Sequence, residues 1–254
     1  MSLIFAKYLS FSDAKKINKK ELINEKFECD IFINEKKFPD NSNIKLKDVN
    51  RILYLFKKNY VDLSNMFENC TNLVSIDLSN FVQKDVVDIS YMFYNCENLT
   101  KINLLNMNTS QVRNMAGVFN NCKSLTHVDI SSFNTSFVNN MMGMFSNCAS
   151  LTSINLKNFK TQNVTHMTGM FHGCKNLVKL DLSNFDTSKV YYMKGMFYNC
   201  YSLEDLDLSN FNCDKIKSSK EMEKMFFGCK YLKLDGVKFK DSKIKNQLIL
   251  DIVI

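Results

Sequence analysis

The apolar residues of this chain keep one rhythm over most of its length. From Val112 they fall at Met115, Val118, Phe119, Cys122 and Leu125, mostly in the steps of three and four that mark one face of a helix. After Leu125 the spacing changes to the alternation Val128-Asp129-Ile130, which suits a short strand. Phe133 then anchors a turn back to the next helical stretch. Asp88, Asn114 and Asn140 stand just before such stretches, where an N-cap belongs. The pattern predicts a unit made of one strand and one short helix.

The unit recurs. The pairs Met66-Phe67, Met92-Phe93, Val118-Phe119, Met144-Phe145, Met170-Phe171 and Met196-Phe197 lie 26 residues apart, and Met225-Phe226 follows after 29. A cysteine comes four residues after the start of each pair, from Cys70 to Cys229, and a leucine three further on, from Leu73 to Leu232. So short a unit cannot bury a core alone; stacking against its neighbours buries both its sides and pairs its strand. The predicted fold class is an α/β solenoid of leucine-rich-repeat type. Because helices are wider than strands, its parallel sheet should be concave, with the helices on the convex side. The expected boundaries are a β-rich N-terminal cap over 1–59, about seven 26-residue repeats over 60–239 with a longer last one, and a helical half repeat over 240–254 as the C-terminal cap.

Leu73-x-x-Ile76-x-Leu78 has the core spacing of leucine-rich repeats, with Phe67-x-x-Cys70 before it and Asn80-Phe81 after it. The unit resembles the 26-residue BspA-like leucine-rich repeats of bacterial surface proteins. That resemblance covers about residues 60–239 and implies binding or adhesion to macromolecules at a cell surface, without catalysis.

The ends depart from the repeat. Ser12-Asp13 followed by Ala14, Ile17 and Leu22 suggests a short lysine-rich helix. Phe27, Cys29, Ile31 and Ile33 alternate like a strand, and Ile44/Leu46 and Ile52/Tyr54/Phe56 suggest two more. Pro39 falls in the loop between the first two of these strands. At the other end, Ser218-x-x-Glu221 is a capping-box pattern, so the three extra residues should lengthen the seventh helix by a turn. Phe239-Lys240-Asp241-Ser242-Lys243-Ile244 mirrors Phe185 to Val190, which makes the tail a half repeat ending in a helix, with a strand as the alternative for Ile252-Val253-Ile254.

Charge refines the partner classes. The chain of 254 residues carries a net charge of +7, unevenly spread. Residues 1–58 hold 13 Lys/Arg against 8 Asp/Glu, residues 59–212 hold 10 against 12, and residues 213–254 hold 10 against 6. A nucleic acid lying along the body needs positive charge there, so only the basic ends would suit one. A protein partner is the first expectation and a glycan the second. No segment is long and apolar enough to span a membrane. The opening MSLIFAKYLSF, broken by Lys7, lacks a basic start and a small-residue cleavage site, which points inside the cell, whereas the resemblance points to its surface.

Candidate chemistry is sparse. The seven in-register cysteines read as small buried thiols, while Cys29 and Cys213 stand outside the column and are the reactive candidates. His127, His166 and His172 have no recurring acidic partner, so no catalytic residues are assigned, no enzyme is expected, and neither a metal nor a cofactor is implied. Gly117, Gly143, Gly169 and Gly195 are single glycines at one repeat phase, read as close-packing positions. Two outward surfaces remain. A polar strip on the sheet face comprises Asp77, Lys101, Asn103, His127, Asp129, Asn155, Lys179, Asp181 and Asp207, which could take a protein, a glycan or a cation. An aromatic patch near the C-terminal end comprises Tyr191, Tyr192, Tyr198, Tyr201 and Phe227, with Phe137 and Met142 breaking polar columns earlier. Tyrosine-rich patches are favoured at interfaces. The functional expectation is a non-enzymatic interaction or adhesion module. The alternative is a small structural subunit of an intracellular assembly, docked through its basic ends.

Overall fold

The computed structural model describes residues 2–8, 16–17, 22–33, 36–37, 44–45, 52–56 and 58–252. Among them, the stretches expected to be the repeat helices are not helical. Each is a chain of tight turns with two residues in the left-handed region, such as Gly117 (φ 60°) and Asn121 (φ 64°). A left-handed residue at every fourth position closes one turn and opens the next. The amide of Asn120 therefore bonds to the Gly117 carbonyl at 3.0 Å and that of Cys122 to the Phe119 carbonyl at 3.0 Å. The intervening amides reach into the next repeat, Phe119 to the Met144 carbonyl at 2.9 Å and Asn121 to the Ser146 carbonyl at 2.7 Å. A helix would spend its amides internally on the residue four back and leave none for its neighbour. Four-residue turns repeat the apolar face at the same interval as a helix does, which is why the spacing misleads.

The presumed N-caps share in this arrangement. Asp62, Asp88, Asn114, Asn140, His166 and Tyr192 form a run of single parallel bridges from repeat to repeat. Asp88, Asn114 and Asn140 each accept, through Oδ1, the backbone amide two residues on, closing a local turn that no helix follows. The glycines of the turn are also explained by conformation. Gly169 sits at φ 59° with its nearest foreign atom 3.6 Å from where a Cβ would be, so its left-handed backbone sets the residue, whereas at Gly117 a Cβ would also run into the Tyr91 ring and close packing applies as expected.

Stacking is regular inside. The buried rings of Phe67, Phe93, Phe119, Phe145, Phe171, Phe197 and Phe226 lie face to face, 5.6–5.9 Å apart with interplanar angles of 3–14°. Beside them runs a threonine column that the sequence pattern does not advertise. The buried Thr109, Thr135, Thr161 and Thr187 donate through Oγ1 to the carbonyls of Asn134, Lys160, Asp186 and Asn212 in the following repeat, at 2.9–3.1 Å. Three of these hydroxyls also accept an amide from that repeat, so each satisfies a donor and an acceptor at once.

The strand side is less continuous than the alternation implied. Strands β7 (Leu73–Asp77) and β8 (Lys101–Asn103) pair in parallel, as do β9 (Lys179–Asp181), β10 (Asp205–Leu208) and β11 (Val237–Phe239). Val128-Asp129-Ile130 keeps its buried–exposed–buried order but carries no strand pairing. Alternation reports which side chains are buried, not whether the backbone is bonded. The chain therefore has several small sheets and few helices. The width difference that would have made a sheet face concave is absent.

The N-terminal region supplies antiparallel strands. β1 (Ser2–Tyr8) lies between β6 (Ile52–Phe56) and β7, with Ala6 opposite both Ile52 and Ile76. It carries a sheet of order β4-β3-β6-β1-β7-β8 from the first residues into the first repeats, where β3 is Cys29–Ile33 and β4 is Lys36–Lys37. The expected strands at Cys29–Ile33 and Ile52–Phe56 are present. Of the stretch expected as a lysine-rich helix, Lys16–Ile17 (β2) is extended and pairs antiparallel with Ile44–Lys45 (β5), while residues 12–15 and 18–21 lie outside the described ones. Pro39 lies outside the described residues.

At the other end, the capping box of Ser218 and Glu221 forms, but it starts a single 3-10 turn, Ser219–Glu221, in place of a lengthened helix. The tail from Ser242 to Ile252 is helix α1, and residues 253–254 lie outside the described ones. Cys213 occupies the threonine phase of the last repeat. There the Asp241 carboxylate accepts the Cys213 amide at 2.8 Å, and the Lys243 ammonium donates to the Cys213 and Ile216 carbonyls at 2.9 Å each. An ion of each sign thus takes over bonds that another repeat would otherwise make.

Candidate interaction surface

In the cysteine column, Cys96, Cys122, Cys148, Cys174, Cys200 and Cys229 donate through Sγ to the phenylalanine carbonyl of the preceding repeat, from Phe67 to Phe197, at 3.0–3.2 Å. Burial pushes them well away from thiolate formation, Cys229 up to about 12. Cys213, expected to be reactive, is buried as well, and burial pushes it up to about 12 with Asp241 adding to the effect. Its place at the threonine phase, under the C-terminal segment, is the reason. Of the nine cysteines only Cys29 is partly exposed. Alkylation with iodoacetamide at neutral pH should therefore modify Cys29 in the folded protein, and the other eight only after denaturant is added. Mass spectrometry of the native reaction checks this, and rapid labelling of Cys213 would contradict its placement.

Six residues of the polar strip also close local turns. Asp77, Asn103, Asp129, Asn155, Asp181 and Asp207 each accept through Oδ1 the amide two residues on, at 2.9–3.2 Å, and so close the turn after the strand position. The hydrogen bond from Ser131 holds Asp129 below its usual range, and that from Ser183 does so for Asp181. Lys179 faces Asp205 at 3.7 Å and Lys238 faces Asp207 at 3.4 Å. Lys101 and His127 are exposed on the same face. Among the described residues no three His, Cys, Asp or Glu side chains gather where a metal ion could sit.

The aromatic residues do come together. Tyr191, Tyr192, Tyr201, Phe227 and Tyr231 are each 42–47% exposed, and Tyr198 is half-buried. His172, Tyr198 and Phe227 stack in a row, with centroids 4.8 and 5.5 Å apart and planes within 22°. His166 lies 4.9 Å from Tyr192, which is 6.4 Å from Tyr191. Tyr201 meets Tyr231 edge-on at 5.4 Å, and the Lys230 ammonium stands over both rings at 5.3 and 5.6 Å while donating to the Tyr201 hydroxyl at 2.9 Å. Burial pushes the His172 imidazole below its usual range, favouring the neutral ring that the stack contains. Two histidines that looked inert in the sequence thus extend the aromatic rows by one repeat. The sequence signal was their phase: His166 and His172 stand 26 residues before Tyr192 and Tyr198. Phe137 and Met142 are exposed but share no ring contact with these rows among the described residues.

The match to known families rests on this same repeat. The family described as Mycoplasma protein of unknown function, DUF285, matches residues 61–155 and again 150–248. The chain belongs to that family. No curated protein matches it. Among solved structures, a leucine-rich repeat protein from Bacteroides ovatus ATCC 8483 is similar at 18% identity, over 77% of this chain and 67% of that one, with a TM-score of 0.22. Among the described residues of this DUF285 member, no helix is long and apolar enough to cross a membrane. Its basic tail offers less loose charge than the sequence suggests, since Lys243 is turned inward to two carbonyls and Lys238 faces Asp207.

Proposed function

We propose that the chain is a non-enzymatic protein-interaction module whose contact surface is the aromatic face of its last three repeats. One observation carries this reading. Exposed aromatic rings occupy columns that are polar in most earlier copies, and they are held in fixed rows by one another and by the stack beneath. Such a surface is ordered before it binds, so association costs little side-chain entropy. Large amphipathic rings are also the side chains that contribute most at interfaces. The absence of a catalytic role is part of the proposal, supported by thiols held far from ionisation and by histidines engaged in ring stacking.

The test is Tyr191→Ala combined with Tyr192→Ala. Both side chains are more than 40% exposed, so the melting temperature should stay close to that of the parent. If each ring contributes about 2 kcal/mol, partner capture from a lysate of the source cells should weaken by roughly a hundredfold or more. Unchanged capture would remove this face from the interface. Loss of capture together with a large fall in melting temperature would assign the two tyrosines to the fold.

A further inference from the structure

The interaction reading leaves the chemistry of the partner open, and the surroundings of the aromatic rows narrow it. Lys194 is ion-paired with Glu223, and Lys220 and Lys224 also bear on the same carboxylate. The neighbouring Glu221 accepts the amides of Lys217 and Ser218 through Oε2 at 2.6 and 3.1 Å and keeps its charge, so two carboxylates stand against three ammonium groups. Lys194 stands between Tyr192 and Tyr198 in the chain, and Lys224 is three residues before Phe227. Lys194, Lys220 and Lys224 are all exposed, so uncompensated positive charge lies beside the rings and open to solvent.

The rings themselves point the same way. Tyr198 has His172 on one side and Phe227 on the other, both stacked at small interplanar angles. Tyr201 and Tyr231 meet edge-to-face and carry the Lys230 ammonium over their rings. Both faces of Tyr198 are thus covered, and there solvent meets the ring edge and the hydroxyl group. An aromatic edge carries the positive part of the ring quadrupole, so edges, hydroxyl donors and lysines all favour negative charge. Sugars and nucleobases bind aromatic platforms through open faces, which Tyr198 does not offer.

We propose that the face formed by Tyr192, Tyr198, Phe227, Lys194, Lys220 and Lys224 binds an acidic peptide segment of its partner. This rests on the interaction reading above and specifies the partner's chemistry. Carboxylates of the segment meet the lysines, and its apolar atoms lie along the ring edges.

The experiment titrates the full chain with fluorescein-labelled polyglutamate and follows anisotropy. Oligouridylate and a neutral maltooligosaccharide serve as competing probes. Because the whole chain is basic, two variants of equal charge separate this face from general attraction. One is Lys220→Ala with Lys224→Gly, where glycine suits the left-handed backbone of residue 224 (φ 55°). The other is Lys101→Ala with Lys157→Ala on the sheet face. Polyglutamate should bind the parent and the sheet-face variant alike, bind the first variant at least about tenfold more weakly, and be released as salt rises from about 0.05 to about 0.5 M and screening shortens. Equal weakening by both variants, no binding, or tighter binding of oligouridylate or the oligosaccharide would overturn the proposal. If polyglutamate fails while Tyr191→Ala with Tyr192→Ala still abolishes capture from lysate, the acidic partner is wrong and the interaction role stands. If both fail, both fall.

Discussion

Leu151→Asp is expected to unfold the repeat stack at room temperature. Leu151 is fully buried in the fourth of the in-register leucines, between Leu125 and Leu177 of the adjoining repeats. Its amide bonds to the Cys148 carbonyl at 3.1 Å, which places the side chain under the turn that carries the phenylalanine and cysteine columns. A carboxylate there has no cation within its surroundings: among the described residues the nearby columns are Phe, Cys, Met and Leu. Leaving one buried charge unpaired costs several kcal/mol even after it protonates or admits water, which is a large part of the roughly 5–15 kcal/mol by which domains are stable. Position adds to the damage. In a stack where each unit touches only its neighbours, a failed middle unit also uncouples the two halves. Far-ultraviolet circular dichroism against urea checks the outcome. A variant that melts with the parent would put the leucine column outside the core.

Phe145→Ala is expected to destabilise the chain by about 3–5 kcal/mol, the usual cost of removing a fully buried aromatic ring. The Phe145 ring is stacked between Phe119 at 5.6 Å and Phe171 at 5.7 Å, so its loss leaves a gap with ring faces on both sides. The backbone around it is fixed by hydrogen bonds to both neighbours: Phe145 donates to the Met170 carbonyl and accepts the Cys174 thiol of the following repeat, and the Phe119 amide of the preceding one donates to the Met144 carbonyl. Such a frame cannot collapse to fill the space. The urea midpoint should fall while the slope stays the same, as for a cavity that leaves cooperativity intact. Phe145→Leu should recover part of the loss, because it refills some of the volume. A midpoint within error of the parent would mean that the repeats close up around the gap.

Much of this fold was legible because burial imposes itself on every copy. The methionine–phenylalanine pair, the cysteine and the leucine are in register because each packs on its own counterpart in the next repeat. The backbone was harder to read. Apolar residues at steps of three and four indicate a helix only if the residues between them tolerate one, and the sequence held contrary evidence: Gly117, Gly143 and Gly169 at one phase and Asn69, Asn95, Asn121 and Asn147 four residues later. These are the residue types that accept left-handed backbone, and all seven adopt it. The threonine column escaped notice because a short polar residue among polar neighbours looks exposed. Only the stack shows that its hydroxyl is bonded to the backbone of the following repeat.

The candidate surfaces divide on similar grounds. Asp-x-Ser recurs at Asp77-Leu78-Ser79, Asp129-Ile130-Ser131, Asp181-Leu182-Ser183 and Asp207-Leu208-Ser209, a local turn signature that already hinted at a structural role for the strip. The aromatic columns were visible as departures from polarity. Their joining into rows with His166 and His172 was not, since it depends on the separation of successive units and on ring orientation. The first strand, Ser2–Tyr8, is hidden in the sequence because Lys7 interrupts its apolar run, yet a strand needs only alternate residues buried, as Ile4 and Ala6 are.

The turns that link repeat to repeat have a consequence for how such chains can lengthen or shorten. The turn amides and rings of each unit meet, in the unit after it, the same set of carbonyls and ring faces that it offers to the unit before. Duplicating or deleting a whole unit therefore leaves every surviving junction chemically unchanged, whereas a change of one or two residues inside a unit would throw its amides out of phase with both neighbours. The extra residues near Ser218 obey this constraint: they are taken up in the turn at Ser219–Glu221, and Phe197 still finds the carbonyl of Met225 at 2.9 Å beyond them. Copy number is thus the free variable of this architecture. The two ends, with their antiparallel strands on one side and Asp241, Lys243 and α1 on the other, are the parts that must stay fixed while it varies.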